Sequence, residues 1–128
     1  MMVGECFYYE TFPNDEHLFV VVAPILNKEG WFLCVNITTK RDGSDTTCEV
    51  HQHEHPNLSK PVSVVVYSQA RELPIALIKR LTGEQQLPKM SDALLLRIQQ
   101  APLTDYSRLK KSFKNAIATY LGTKEEHH

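Results

Sequence analysis

The sequence predicts an α+β fold, mainly β, in which a small antiparallel barrel is followed by two or three helices. Up to Pro74, apolar or aromatic runs alternate with turn-forming residues and give five predicted strands. After Pro74, apolar residues recur at helical spacing instead. Because the chain has 128 residues, we expect a single domain, residues 1–128, with the barrel over residues 4–73 and a helical extension over 75–122.

The first three predicted strands lead to a rim of polar side chains. Residues 5–12 are rich in aromatic side chains, and Pro13, Asn14 and Asp15 follow as a turn. Residues 18–25 and 31–39 are apolar runs on either side of a Lys28-Glu29-Gly30 turn, which is typical of a β-hairpin. The second run ends in two threonines, so we expect hydroxyl groups at the end of a buried strand.

The remaining predicted elements follow in chain order. Residues 46–53 and 63–69 are predicted as strands, because the first can expose one face and the second is apolar on both. The predicted helices cover residues 75–81, 92–100 and a last segment from Thr104 or Asp105 to Gly122. In the last helix an apolar stripe is interpreted as core or as a face that docks a partner; it comprises Tyr106, Leu109, Phe113, Ile117 and Tyr120.

Composition is typical of a soluble globular protein, with 42% hydrophobic and 23% charged residues. No apolar run approaches the roughly 20 residues that span a bilayer. The N-terminus also lacks a signal-peptide pattern. We therefore expect a cytoplasmic protein that does not enter a membrane. Its three cysteines, Cys6, Cys34 and Cys48, are an odd number in predicted strands, which favours buried reduced thiols.

Charge is divided unevenly along the chain. Residues 1–60 carry nine acidic and four basic residues, whereas residues 61–128 carry six acidic and ten basic residues. If RNA binds, its phosphates should therefore meet mainly the second half. One side of the last predicted helix is cationic, and it is interpreted as a phosphate-binding face or as an ordinary solvated face; it carries Arg108, Lys110, Lys111 and Lys114.

Four segments together resemble a known family. Residues 4–8, 18–25, 31–39 and 63–71 follow the strand order of the PemK/MazF toxin family, and the resemblance covers about residues 4–82. It implies an SH3-like barrel that usually forms a homodimer. It also implies a bacterial toxin-antitoxin endoribonuclease that cuts single-stranded RNA without a metal or cofactor, leaves a cyclic phosphate, and is held inactive by a small antitoxin protein.

The resemblance also implies site residues. Thr38 and Thr39 match the end of the third strand, where a hydroxyl meets the scissile phosphate, and Gln69 and Arg71 match the later strand. The family's usual arginine before the second strand is absent, and His17 stands in its place. The usual acid and base residues are also not retained, because Val66 and Ser68 occupy those positions.

Histidine can supply the missing proton transfers. Cleavage by 2′-hydroxyl attack needs a base, an acid and a cation that stabilises the phosphorane, and imidazole suits proton transfer at neutral pH. We therefore predict a catalytic cluster of His17, Thr38, Thr39 and Arg41, beside the RNA-binding Lys40. The alternative is that His17 only begins a strand and that Lys40 and Arg41 are solvated residues of a loop.

The run His51-Gln52-His53-Glu54-His55 offers a different chemistry. In an extended strand His51, His53 and His55 would share a face, where imidazoles could bind zinc or nickel. Residues two apart are roughly 6 to 7 Å apart in a strand, so a bend would be needed. We therefore predict no metal site and interpret the run as an exposed polar face.

Two functions from different classes remain. The first is the toxin-like endoribonuclease acting by metal-independent acid-base chemistry, and it is our leading prediction. The second is a non-catalytic SH3-like module that binds a protein or nucleic acid. The threonines with Gln69 and Arg71 favour the first, whereas the acidic balance of residues 1–60 favours the second.

Overall fold

The computed structural model describes residues 2–11 and 15–126, and there it has five strands and three α helices. This confirms an α+β protein with its strands first and its helices last. The predicted turn at Pro13 and Asn14 lies outside the described residues. The strands are β1 (Cys6–Thr11), β2 (Asp15–Pro24), β3 (Trp31–Thr39), β4 (Glu49–His51) and β5 (Val62–Pro74), and the helices are α1 (Ile75–Gln85), α2 (Asp92–Gln100) and α3 (Lys111–Glu126).

The strands form one antiparallel sheet in the order β1-β2-β3-β5-β4. Within the described residues β1 and β4 are its edges, so the sheet is open and a closed barrel is not confirmed. Strand β4 is shorter than the predicted 46–53 because Gln52–Glu54 turn into a 3₁₀ helix. The Glu54 carboxylate accepts a hydrogen bond from the His51 backbone N–H at 2.9 Å, which stabilises that turn.

The outer edge of β1 is covered by a side chain of α1. The carboxamide of Gln85 accepts a hydrogen bond from the Tyr8 backbone N–H at 2.6 Å and donates one to the Tyr8 carbonyl at 2.8 Å. These two bonds take the place of a neighbouring strand. Because unpaired strand edges invite pairing with other chains, this contact protects the sheet at β1.

Helix α2 packs on the sheet through apolar side chains and two polar contacts. Leu94 and Ile98 are buried, and the Tyr67 hydroxyl donates a hydrogen bond to the Ile98 carbonyl at 2.7 Å. The buried Gln99 carboxamide donates to the Val22 carbonyl at 2.9 Å. Helix α2 has its predicted bounds, since the Ser91 hydroxyl caps it by accepting from the Leu94 N–H.

The last helix begins later than predicted. Residues 101–110 form turns rather than helix, and the Ser107 hydroxyl donates to the Pro102 carbonyl at 2.6 Å there. The core prediction is consequently wrong for Tyr106, which is 96% exposed, and right for Leu109, Phe113 and Ile117. Across the described ranges, no helix combines the length and the apolar character needed to cross a membrane.

Candidate active site at the ends of strands β2 and β3

The register of β2 and β3 sets the predicted catalytic residues side by side. Leu18 pairs with Ile37 in this antiparallel ladder, so His17 and Thr38 are the next residues outward. Opposite residues in such a ladder have Cβ atoms about 5 Å apart. Tyr9 pairs with His17 from the other side, across β1 and β2.

Side chains of a strand alternate between the two faces of a sheet, and this divides the site. We call one side the His17 face; it carries Tyr9, His17, Phe19, Asn36 and Thr38. We call the other side the Leu18 face; it carries Tyr8, Leu18, Ile37, Thr39 and Ser63.

The two predicted threonines are therefore not equivalent. Thr38 projects from the same face as His17, whereas Thr39 projects from the Leu18 face and pairs with Ser63 of β5. Both threonines are partly exposed. A reacting group that contacts the imidazole of His17 can contact the hydroxyl of Thr38 from the same side of the sheet.

A cavity of about 180 Å³ lies at this end of the sheet. His17, Thr38 and Thr39 all contribute to its lining, but the cavity lies mainly on the Leu18 face, whose Tyr8, Leu18, Ile37, Thr39 and Ser63 all line it. The loop before β5 forms another part of the wall with Asn57, Ser59 and Lys60, and the Tyr8 hydroxyl donates to the Asn57 carbonyl at 3.4 Å. The structure thus brings together the imidazole and both hydroxyl groups that we predicted, but with the threonines on opposite faces.

The two predicted cations after β3 are exposed and differ in their partners. Lys40 forms an ion pair with Glu49, which lowers the pKa of that carboxyl group, and its backbone N–H donates to the Val62 carbonyl. Arg41 begins a turn in which its backbone N–H donates to the Ser44 hydroxyl at 2.8 Å. Arg41 does not line the cavity beside His17.

Gln69 and Arg71 lie further along the His17 face. Between the pairs Asn36–Val66 and Cys34–Arg71 the register of β3 and β5 shifts, which indicates a bulge in β5. The Gln69 carboxamide accepts a hydrogen bond from the Asn36 carboxamide at 3.3 Å. The Arg71 guanidinium lies over the Phe19 ring at 5.8 Å, so both predicted RNA-binding side chains approach this face.

The predicted basic residues of the last helix lie elsewhere. Lys110 precedes α3 and lies over the Phe113 ring, and the Lys114 ammonium donates to the Thr104 carbonyl. Lys111 is the first residue of α3 and is exposed. Ser112 and Phe113 line a 480 Å³ pocket with the turn after β2, whereas His17 lies near the start of β2. Eight residues of strand separate His17 from Ile25, or about 25 Å.

The histidines of residues 51–55 do not converge. The rings of His51 and His53 stack with centroids 6.2 Å apart. The ring of His55 is buried, contacts the Pro88 carbonyl at 2.8 Å through Nε2, and accepts from the Asn57 N–H through Nδ1. Among the described residues, no three or more His, Cys, Asp or Glu side chains are grouped to hold a metal ion.

The three cysteines are buried free thiols. Burial raises the pKa of Cys6 to about 12 and raises the pKa of Cys34 and Cys48. Thiols that stay protonated are poor nucleophiles. The chemistry of this site therefore belongs to its imidazole, hydroxyl, amide and guanidinium groups.

Sequence reasoning missed two residues of the His17 face, Tyr9 and Asn36. Tyr9 contacts the Phe19 ring edge-on, with centroids 5.7 Å apart. Asn36 is the one polar residue between Leu33 and Ile37 in the buried part of β3, and that break in an apolar run was a signal available in the sequence.

Comparison of the chain with protein-family models finds no matching family, and comparison with curated proteins finds no match either.

Proposed function

We propose that the protein is a toxin-like endoribonuclease that cuts single-stranded RNA on the His17 face. One observation carries the proposal: His17 and Thr38 are neighbours across β2 and β3 and project from the same face. An imidazole beside a hydroxyl supplies a proton-transfer group and a hydrogen-bond donor for a phosphate oxygen. Gln69 and Arg71 approach the same face and support the choice of an RNA substrate.

The reaction assigns a role to each group. The His17 imidazole takes the proton of the ribose 2′-hydroxyl, whose oxygen attacks the phosphorus. The new P–O2′ bond forms as the P–O5′ bond breaks, and the leaving 5′-oxygen takes a proton. We assign that proton to the hydroxyl of Tyr9, whose backbone pairs with that of His17. The products are a 2′,3′-cyclic phosphate and a free 5′-hydroxyl, and no metal or cofactor takes part.

Thr38 and a cation stabilise the charge of the phosphorane. The Thr38 hydroxyl donates a hydrogen bond to a non-bridging oxygen. Arg41 follows three residues later and is exposed, and we assign it the role of this cation. Arg71 lies further from Thr38, about four strand residues or 13 Å away, and therefore suits a neighbouring phosphate.

The fold and assembly belong to the same proposal. We interpret the open sheet, with its short strand β4, as a variant of the SH3-like barrel that the family resemblance implies. The protein acts in a bacterial cytoplasm, as a homodimer, and a small antitoxin-like protein covers the His17 face. Because Gln85 covers the edge of β1, the dimer forms by a contact other than strand addition there.

A non-catalytic module is the second candidate, and one observation favours it. Glu10 and Glu16 pair across β1 and β2 next to the Tyr9–His17 pair, but they project from the Leu18 face, where Glu16 lines the cavity. Two carboxylates at this edge repel a polyphosphate and attract a basic protein segment. In this case the Leu18 face binds a partner protein, and the protein cuts no RNA.

Cleavage of a labelled single-stranded RNA by the purified protein, with EDTA present, tests the proposal. We expect products with a 2′,3′-cyclic phosphate and a 5′-hydroxyl, and much slower cleavage of the same sequence in a duplex. Inducible expression in a bacterium should arrest growth as transcripts are cut. Intact RNA with harmless expression would contradict the nuclease and favour the module.

A further inference from the structure

The outer edge of strand β4 carries outward-facing backbone groups. Across β4 and β5 the Val65 N–H donates to the Cys48 carbonyl at 3.1 Å, so the backbone groups of Cys48 point toward β5. Successive residues of an antiparallel strand point these groups alternately to its two sides. Glu49 and His51 therefore point theirs away from β5, to a side where the described part of the chain places no further strand.

An ion pair of Arg97 and Glu54 takes the place of that strand. Oε1 of Glu54 accepts a hydrogen bond from the His51 N–H at 2.9 Å, and Nη2 of Arg97 donates to the Glu49 carbonyl at 3.1 Å. The guanidinium also donates to both carboxylate oxygens, at 2.7 and 2.8 Å. The pair thus accepts from one outward N–H and donates to one outward C=O, as the backbone of an added strand would.

The covers of the two sheet edges differ in how firmly they are held. At β1 the cover is the partly buried carboxamide of Gln85, which has no charge to be hydrated. At β4 the side chain of Arg97 is 46% exposed. Exposed ion pairs contribute little to stability, because water screens both charges. The cover of β4 is therefore the easier of the two to displace.

The edge of β4 is complementary to the same edge of a second copy. When two β4 strands run antiparallel about a two-fold axis, Glu49 can lie opposite His51 of the second copy, and each such pair exchanges two hydrogen bonds. A carboxylate then lies opposite an imidazole on the same face, which is favourable. Glu49 also pairs with Lys40, and a carboxylate can accept from both. A shifted register with Glu49 opposite Glu49 is disfavoured by repulsion.

We propose that β4 is a self-association edge, which pairs with β4 of a second copy when the Arg97–Glu54 pair swings aside. Each copy must open its cover before the strands can meet, so the covers weaken the apparent affinity. Strand addition extends a sheet sideways and leaves both of its faces uncovered. The inference gives the homodimer of the proposed function an interface, and it needs no RNA chemistry.

Sedimentation equilibrium of the purified protein over a range of concentrations tests this edge. We expect Arg97→Ala to dimerise about tenfold more tightly than the parent, because its β4 has no ion pair to open. Adding His51→Pro should abolish the dimer, since proline removes an outward donor and no hydrogen bond to β5. Arg80→Ala, an exposed change on α1, should match the parent.

Glu54→Ala removes the other half of the cover and leaves α2 unchanged. It should tighten the dimer as Arg97→Ala does, and it carries the test if Arg97→Ala does not fold. Equal dissociation constants for the parent and these variants, or a dimer that His51→Pro leaves intact, would overturn the proposal. The expected dimer in a protein that cuts no RNA would support this edge and contradict the nuclease alone.

Discussion

His17 and Thr38 lie next to each other across strands β2 and β3, one step outward from the Leu18–Ile37 pair, and their side chains share one face of the sheet. The next residue, Thr39, projects from the opposite face. We therefore expect the hydroxyl of Thr38, and not that of Thr39, to act together with the His17 imidazole.

The lysines near α3 should contribute only to long RNA. Because Lys110, Lys111 and Lys114 lie near the turn end of β2, a substrate that covers only the His17 face cannot reach them. We expect the triple change to Glu to weaken binding of a long single strand, with a smaller dependence on salt. Binding of a dinucleotide should change little. Fluorescence anisotropy at several salt concentrations measures both.

An equal loss of affinity for the long RNA and the dinucleotide would place these lysines at the cleavage site and contradict the geometry. Lys79→Glu with Arg80→Glu is a suitable control, because both side chains are exposed on α1.

The pair formed by Arg97 and Glu54 should make stability depend on pH. Arg97 donates to both carboxylate oxygens of Glu54, at 2.7 and 2.8 Å, and this holds the pKa of Glu54 at about 2, below its ordinary 4.5. The folded pKa is the lower one, so the stabilisation is complete above about pH 4.5 and is lost as pH falls toward 2.

We expect Glu54→Gln to lower the free energy of unfolding by about 1 kcal/mol at neutral pH, since Arg97 is partly exposed and the pair is screened by solvent. The difference from the parent should vanish near pH 2. Urea denaturation across this range measures it, and Glu84→Gln, an exposed change on α1, is the control. A difference that is constant with pH would show that the carboxylate charge does not stabilise the fold.

Gln85 should protect the edge of β1. Its replacement by alanine removes two hydrogen bonds to the Tyr8 backbone. We expect a loss of about 1–2 kcal/mol in the free energy of unfolding and faster exchange of the Tyr8 amide hydrogen. Self-association measured by light scattering should increase, because an uncovered strand edge pairs with other chains. Unchanged Tyr8 exchange would contradict the role of Gln85.

The sequence predicts the strands and helices better than it predicts where their side chains point. Strand β3 and helix α2 have their predicted bounds, since an apolar run and a Ser91 cap define them locally. Strand β4 was predicted too long because the alternation of its side chains does not show the local contact between the Glu54 carboxylate and the His51 backbone N–H that ends it. The face from which a side chain projects depends on the register of the strands. A slip of one residue would therefore put Thr39, and not Thr38, on the His17 face.

The sequence does not predict the contacts of the Asn36 side chain either. Its place in an apolar run was visible, but its approach to Gln69 depends on a bulge in β5, 33 residues later. No periodicity in β5 indicates that bulge.

RNA cleavage by Thr38→Ala and Thr39→Ala, measured side by side with the parent and His17→Ala, tests the central claim most directly. We expect Thr38→Ala to lower the cleavage rate about a hundredfold and His17→Ala to lower it by about a hundredfold or more, with Thr39→Ala within a few-fold of the parent. If Thr39→Ala is as impaired as Thr38→Ala, or if His17→Ala cuts RNA as fast as the parent, the His17 face is not the active site.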